Sequence, residues 1–404
     1  MNWLHPMKIY AWLIQQKRIF SKKSSFKKWK IINDIDNFCL SIVGCNFMHP
    51  HFKINFLTAI PGLLVVDYTV LMLYTAYYYR TDYFKIIQAT SFASIIYPPA
   101  LVYPILLFRR DALNAIHVFS GKYIYGNSNS SERRHNVCAK MVNQLIIDCI
   151  RISSLVALSL LMLFGVPTFL TVFYRQQHII VPVILPFLDP DTDQGYYINF
   201  LHQIFFGVFG PFAILGIEMS TCVTKNATMV AAEIIKSDLE ELENDLRNDP
   251  QFTGERDQQF QNIIVQIQDF HRLIASITDL FYWKILIQPL LLIYAVSVGV
   301  FLYVKSGWIN GIGLSCCCYI QVFILCDFGQ CLDDSNAVIL GALNDFAFYL
   351  LPHKKQLIYR SLLIQTQNSR TLQRKPFKPL CYGTFADMTN SIYSLLMILL
   401  RTTK

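Results

Sequence analysis

The sequence predicts an all-α membrane protein with about seven transmembrane helices, a cytoplasmic N-terminus, an extracellular C-terminus and a helical cytoplasmic anchor. Three observations predict it. The 404 residues are 53% apolar and only 15% charged, whereas soluble globular domains carry about a quarter charged residues. Apolar runs long enough to cross a hydrocarbon core of about 30 Å recur at 56–79, 86–108, 145–173, 198–224, 285–304, 311–331 and 380–400. The basic residues fall almost wholly on one side of those runs. A chain with so little charge cannot cover itself in water, which excludes a soluble enzyme, a disordered protein and a nucleic-acid binder.

The runs are continuous rather than alternating, so they suit helices, which satisfy their own backbone in lipid, and not an outer-membrane barrel. Residues 1–55 form a basic, interrupted cytoplasmic segment. The first apolar run starts too late for a cleavable signal peptide and is expected to act as its own insertion signal. Lys and Arg number nine in 1–53, six in 109–142, six in 225–284 and seven in 353–378, against five on the other side. Under the positive-inside rule this division holds the N-terminus in the cytoplasm and, after seven crossings, sends the C-terminus out. That orientation is opposite to a G-protein-coupled receptor. Asn129 and Asn226 head glycan-acceptor patterns but fall on the cytoplasmic side, so both are expected to stay unmodified.

The region 56–331 is read as a six-helix bundle with cytoplasmic extensions at 226–284. There Ile234, Ile235, Leu239, Leu242 and Leu246 recur at helical spacing among acidic residues, extending the fourth span. After the turn signal at Asn248-Asp249-Pro250, Ile263, Ile267, Phe270, Ile274, Ile277 and Phe281 repeat the pattern and run into the fifth. Residues 332–379 are read as an anchor, with a helix from about Ser335 to Leu351 continuing the sixth span and a second over 354–366. Amphipathic faces of this kind need covering. A self-contained bundle and an oligomerisation platform both satisfy the periodicity.

The last unit, 380–404, holds the seventh span. Thr384, Asp387, Ser391, Ser394, Ile398 and Arg401 share one helical face, and five of the six are polar or charged. A polar stripe in a membrane helix is costly unless it meets water or protein. It therefore lines an aqueous path with other copies, or makes helix contacts. Ile398 interrupts the stripe near the outer end, where a ring of apolar side chains closes a pore by dewetting. Asp387 favours cations in such a path, and Arg401 at the mouth opposes them.

No cofactor, metal or catalytic constellation is expected. The eleven cysteines fall mostly in spans or cytoplasmic segments, where they act as small packing residues, and no His/Cys/Glu spacing suits a metal. Asp67, Asp148, Glu218 and Asp327 lie in or near spans and are expected to be paired or to line cavities rather than to couple ions.

The C-terminal block of about 70 residues carries a resemblance. It reads Ser335-Asn336-Ala337 through Ala342-Leu343-Asn344-Asp345, then Lys354-Lys355-Gln356-Leu357, Gly383-Thr384-Phe385 and Ser391-Ile392-Tyr393-Ser394. This resembles the insect odorant receptor family, and within it a ligand-tuning subunit rather than the shared co-receptor. One departure is that the aromatic the family places after the acidic residue of this stretch is represented only loosely, by Phe346 and Phe348. The resemblance implies a non-enzymatic, odorant-gated, non-selective cation channel in the plasma membrane of olfactory sensory neurons. Its partners are co-receptor subunits in a heterotetramer, a small volatile ligand, permeating cations and lipid, with no nucleic acid. The family's gate position falls at Ile398.

The family's pocket lies in the outer halves of spans two, three, four and six. That selects Ser91, Phe92 and Ile95; Met162, Gly165 and Phe169; Gln203 and Phe206; and Cys316, Tyr319 and Phe323. Gly165 and Pro167 together predict a local irregularity and a cavity in span three. Such a pocket recognises apolar shape and aromatic contact, with one hydroxyl orienting a polar atom. A ligand of about ten heavy atoms is then expected to bind no tighter than roughly micromolar unless it fits unusually well. A gustatory-type channel shares this architecture. A G-protein-coupled receptor shares the number of spans but is opposed by the charge division.

Overall fold

The computed structural model describes residues 25–42, 56–109, 132–174, 181–249, 251–368 and 379–402, with a few single positions between 112 and 120. Among them the regular structure is entirely helical. In order the helices are α1 Ser25–Ile42, α2 Phe56–Tyr78, α3 Tyr83–Ser91, α4 Ala93–Phe108, α5 Glu132–Leu160, α6 Val166–Tyr174, α7 Asp193–Asn248, α8 Gly254–Leu280, α9 Tyr282–Ser306, α10 Asn310–Asp345, α11 His353–Gln367 and α12 Tyr382–Thr402.

Among the described residues, five helical stretches are long and apolar enough to cross a membrane: Thr58–Tyr78, Glu132–Thr171, Asp193–Asn248, Tyr282–Ser306 and Asn310–Asp345. Two expected spans fall outside that group, for different reasons. Residues 86–108, expected as one helix, are the pair α3 and α4 joined at Phe92. Ser91 and Ser94 donate their hydroxyls to the carbonyls of Gln88 and Ser91 at 2.7 Å, and Pro98 and Pro99 remove two backbone donors just beyond. The last helix, α12, is too polar along one face.

The irregularity expected near Gly165 is a single π turn, Leu161–Gly165, between α5 and α6. Pro167 has no N–H to return to the preceding turn, and the turn widens to compensate. Small residues let neighbouring helices touch backbone to backbone. Methyl groups at Gly299 or Gly311 would collide with each other's segments, and one at Gly313 would collide with the backbone of Leu163.

Helix α7, 56 residues long, reaches about 84 Å at 1.5 Å per residue. Its C-terminal part buries Ile234, Ile235, Leu239, Leu242 and Leu246, and α8 buries Phe260, Ile263, Ile267, Phe270, Ile274 and Ile277. A one-residue break at Phe281 separates α8 from α9. Helix α10 ends at Asp345, six residues before the expected Leu351. Phe346 turns extended there and stacks on Tyr359 of α11 with ring centroids 5.5 Å apart. Burying Phe346 and Ala347 against the returning helix outweighs a further turn of α10.

The basic N-terminal segment contains α1, a helix that its interrupted hydropathy does not announce. It lies along α7. Ser220 donates to the Asp36 carboxylate at 2.9 Å, and Leu40 sits over Gly216, where a Cβ would collide with it.

Candidate functional site

An aromatic cluster joins α2, α3, α4 and α7. Tyr68 on α2 is fully buried, and its hydroxyl donates to the Ala89 carbonyl on α3 at 2.5 Å. Its ring meets Tyr97 of α4 and Phe206 of α7 edge-on, with centroids 6.2 and 6.4 Å away. Phe92, at the break between α3 and α4, meets Trp308 edge-on at 6.0 Å. Ser91, Phe92, Ile95 and Phe206, all selected from sequence, are buried in this part of the core. The hydroxyls of Thr69 and Tyr97 lie 3.1 Å apart at its edge. Side chains of these types suit apolar shape recognition with a polar point supplied by hydroxyls.

Gln203 is also buried, and its amide is committed to the loop that precedes α7. It accepts from the Val181 N–H at 3.1 Å and donates to the Val183 carbonyl at 3.2 Å. Asn199 accepts from Leu185 N–H at 2.7 Å and Thr75 from Ile184 N–H at 2.9 Å. Three polar side chains thus pin this strap across one end of the bundle, satisfying backbone groups that water does not reach.

The span-three candidates lie apart from that cluster. Met162 and Phe169 are 46% and 50% exposed, and Phe169 packs on Phe173 with centroids 4.6 Å apart. Gly165 closes the π turn, where a Cβ would strike the Leu161 side chain. On α10, Cys316 is exposed while Cys317 and Cys318 are buried. Tyr319 and Phe323 face α12, with rings 5.2 and 5.7 Å from that of Phe385.

Helix α12 packs one side on its own bundle and leaves the other exposed. Ile392 is buried, Phe385 and Met388 pack on the main core, and Leu396, Leu399 and Leu400 pack on Val298, Phe301 and Leu302 of α9. Ser297 of α9 donates to the Ile392 carbonyl at 3.2 Å. Asp387, Ser391, Ser394, Ile398 and Arg401 are exposed on the opposite face, with Thr384 half-buried at its start. Ser391 and Ser394 return their hydroxyls to the carbonyls one turn back at 2.9 Å. A single chain therefore leaves the seam uncovered and turned away from its own bundle.

Each acidic residue singled out in the spans has a basic neighbour. Asp67 lies 3.0 Å from His202, Glu218 3.4 Å from Lys284, and Asp148 and Asp327 lie 3.7 and 2.6 Å from Lys225. Among the described residues no group of His, Cys, Asp and Glu is arranged to hold a metal. Asn226 is buried and donates to the Met141 carbonyl at 3.0 Å, a packing role. Asn129 lies outside the described residues.

Sequence reasoning missed Tyr68, Tyr97 and Trp308. Nothing in an apolar helix distinguishes a ring that meets another span from one that meets lipid. The pinning residues Thr75 and Asn199 give no local signal either.

A family model described as "7tm Odorant receptor" matches residues 88–393. The fold is similar to that of the insect olfactory receptor OR5 from Machilis hrabei. Its structure in complex with eugenol superposes with a TM-score of 0.74 at 12% identity, over 94% of this chain and 100% of that one. A second OR5 structure gives 0.71 at 13% identity, over 93% and 98%. At these identities the likeness is one of fold.

Proposed function

This chain belongs to the odorant receptor family, and from that premise we propose that it is a ligand-tuning subunit of an odorant-gated cation channel. It is a multi-pass protein of the sensory-neuron plasma membrane, crossing seven times with its N-terminus inside. It assembles with co-receptor subunits into a heterotetramer and binds a small volatile, mainly apolar ligand in the outer half of its bundle. The observation that carries this reading is the sidedness of α12, apolar toward its own chain and polar away from it, with Ile398 interrupting the polar face. The buried aromatic cluster around Tyr68 supports the ligand class.

Gating is a population shift. The ligand binds better to the arrangement in which the α12 helices have separated, so the Ile398 ring retreats and the path wets. Patch recording from cells expressing this chain, with and without the co-receptor, under a panel of volatiles tests it. The expected result is a co-receptor-dependent, odorant-evoked current that needs neither nucleotide nor G protein. A current that requires a G protein overturns the reading, and a response to non-volatile tastants alone moves the chain to a gustatory-type channel.

A further inference from the structure

One cation ties four helices together at the inner end of the bundle. Lys225 on α7 places Nζ 2.6 Å from Oδ2 of Asp327 on α10 and 3.7 Å from Oδ2 of Asp148 on α5. Tyr382, the first residue of α12, donates its hydroxyl to the other Asp327 oxygen at 2.6 Å. Its backbone N–H reaches Gln330 Oε1 at 3.4 Å. Two residues beyond Asp327, Gly329 lies directly against the chain leading into α12, and a methyl group there would collide with the backbone carbonyl of Leu380.

The outer half of the same helix is held by different forces. Leu396, Leu399 and Leu400 rest on Val298, Phe301 and Leu302. Apolar contacts are non-directional and allow sliding, whereas short charge-assisted hydrogen bonds fix distance and angle. The attachment is therefore directional at the inner end and smooth at the outer end. A cavity of about 200 Å³, lined in part by Lys225, Asp327, Asp334 and Tyr382, lies beside the inner attachment. It gives the Tyr382 ring somewhere to go once its hydrogen bond is lost.

We propose that Lys225, Asp327 and Tyr382, together with the close contact of Gly329 on Leu380, form a fixed pivot at the inner end of α12 that confines ligand-driven movement to the outer half and Ile398. The inference rests on the channel reading above. These are positioning residues that act through α12.

The test compares wild type, Tyr382→Phe, Asp327→Asn and the double variant, each expressed with the co-receptor and normalised to surface level. Tyr382→Phe deletes one hydroxyl and keeps the ring. It is expected to raise the half-maximal odorant concentration about two- to tenfold, the range of a single lost hydrogen bond. The double variant should shift no further than its larger single, because both act on the same Tyr382–Asp327 contact, one by deleting the donor and the other by removing the acceptor's charge. Lys225→Arg should retain the wild-type midpoint, and Lys225→Gln should not. A Tyr382→Phe channel with wild-type midpoint and maximum overturns the pivot, as do shifts that multiply in the double variant. A second readout needs no current: hydrogen exchange in nanodiscs. Amides at the inner end of α12 should be better protected than those near Ile398, with Tyr382→Phe releasing the inner end selectively. Equal protection at both ends overturns the pivot whether or not the wild type conducts, whereas inner-end protection in a non-conducting wild type counts against the channel reading and not against the pivot.

Discussion

The hydroxyls of Tyr319 on α10 and Thr389 on α12 lie 3.2 Å apart, joining α10 to the helix that carries Ile398. Removing the Tyr319 hydroxyl therefore acts on gating before it acts on recognition. Tyr319→Phe is expected to shift the half-maximal concentration of every active odorant by a common factor of about two to ten, with their rank order intact. A concentration–response series over several odorants checks this. A reordered ranking would instead give the hydroxyl to the ligand.

Ile398 is 58% exposed on the face of α12 that also carries Ser391 and Ser394. Closure by dewetting needs an apolar ring but no particular shape. Ile398→Leu should keep the channel shut at rest, and Ile398→Ser should raise the current recorded without odorant. Equal resting currents in the two variants would remove Ile398 from the gate.

The long helices were legible because their evidence is local. Apolar runs, the heptad-like spacing of Ile234 to Leu246 and the stripe from Thr384 to Arg401 are all visible within one segment. What stayed hidden depends on distant partners. Asp36 looks like a solvated charge on a basic segment until Ser220, far away in sequence, lies against it. The division at Phe92 leaves hydropathy unchanged, since serine back-bonding and Pro98-Pro99 alter the backbone and not the apolar content. The stop at Asp345 depends on Tyr359 returning to meet Phe346. The same logic governs the candidate site: Phe92 and Phe206 could be chosen by depth, but Tyr68, which meets Phe206, becomes a candidate only once the helices are packed.

Lys284 and Glu218 form a buried ion pair, each 4% exposed. Lys284 also donates to Thr221 Oγ1 at 3.2 Å, and Gln288 donates to Gln321 at 3.2 Å beside them. A gap of about 10 Å³ next to Gln288, whose Oε1 has no protein partner, is about the size of one bridging water. Breaking a buried pair strands a charge and costs about 3–5 kcal/mol, while replacing both partners with apolar groups is often neutral. Lys284→Met alone should lower thermal stability in detergent and deplete the protein at the cell surface. Lys284→Met combined with Glu218→Leu should recover most of both losses. A double variant as unstable as the single would show that the pair does more than neutralise itself.

The docking of α1 should depend on pH through Asp36. The carboxyl is completely buried, and burial pushes it up to about 7, opposed by the Ser220 hydrogen bond. Its Oδ1 has no partner. The buried thiol of Cys39, on the same helix, is raised by burial and by Asp36 itself. Because folding raises the carboxyl above its ordinary value of 3.8, the docked helix favours the protonated form. The contribution is complete below about pH 4, declines as pH rises toward 7, and is absent above it. At about 1.4 kcal/mol per pKa unit, the change is on the order of a few kcal/mol. Hydrogen exchange over residues 25–42 in nanodiscs should accordingly report weaker protection at pH 8 than at pH 5, after correction for intrinsic exchange. Asp36→Asn keeps the shape and removes the proton, so it should flatten the pH profile and raise protection at pH 8. Wild-type protection that is equal at the two pH values would mean that the buried carboxyl finds a compensating partner once α1 is docked.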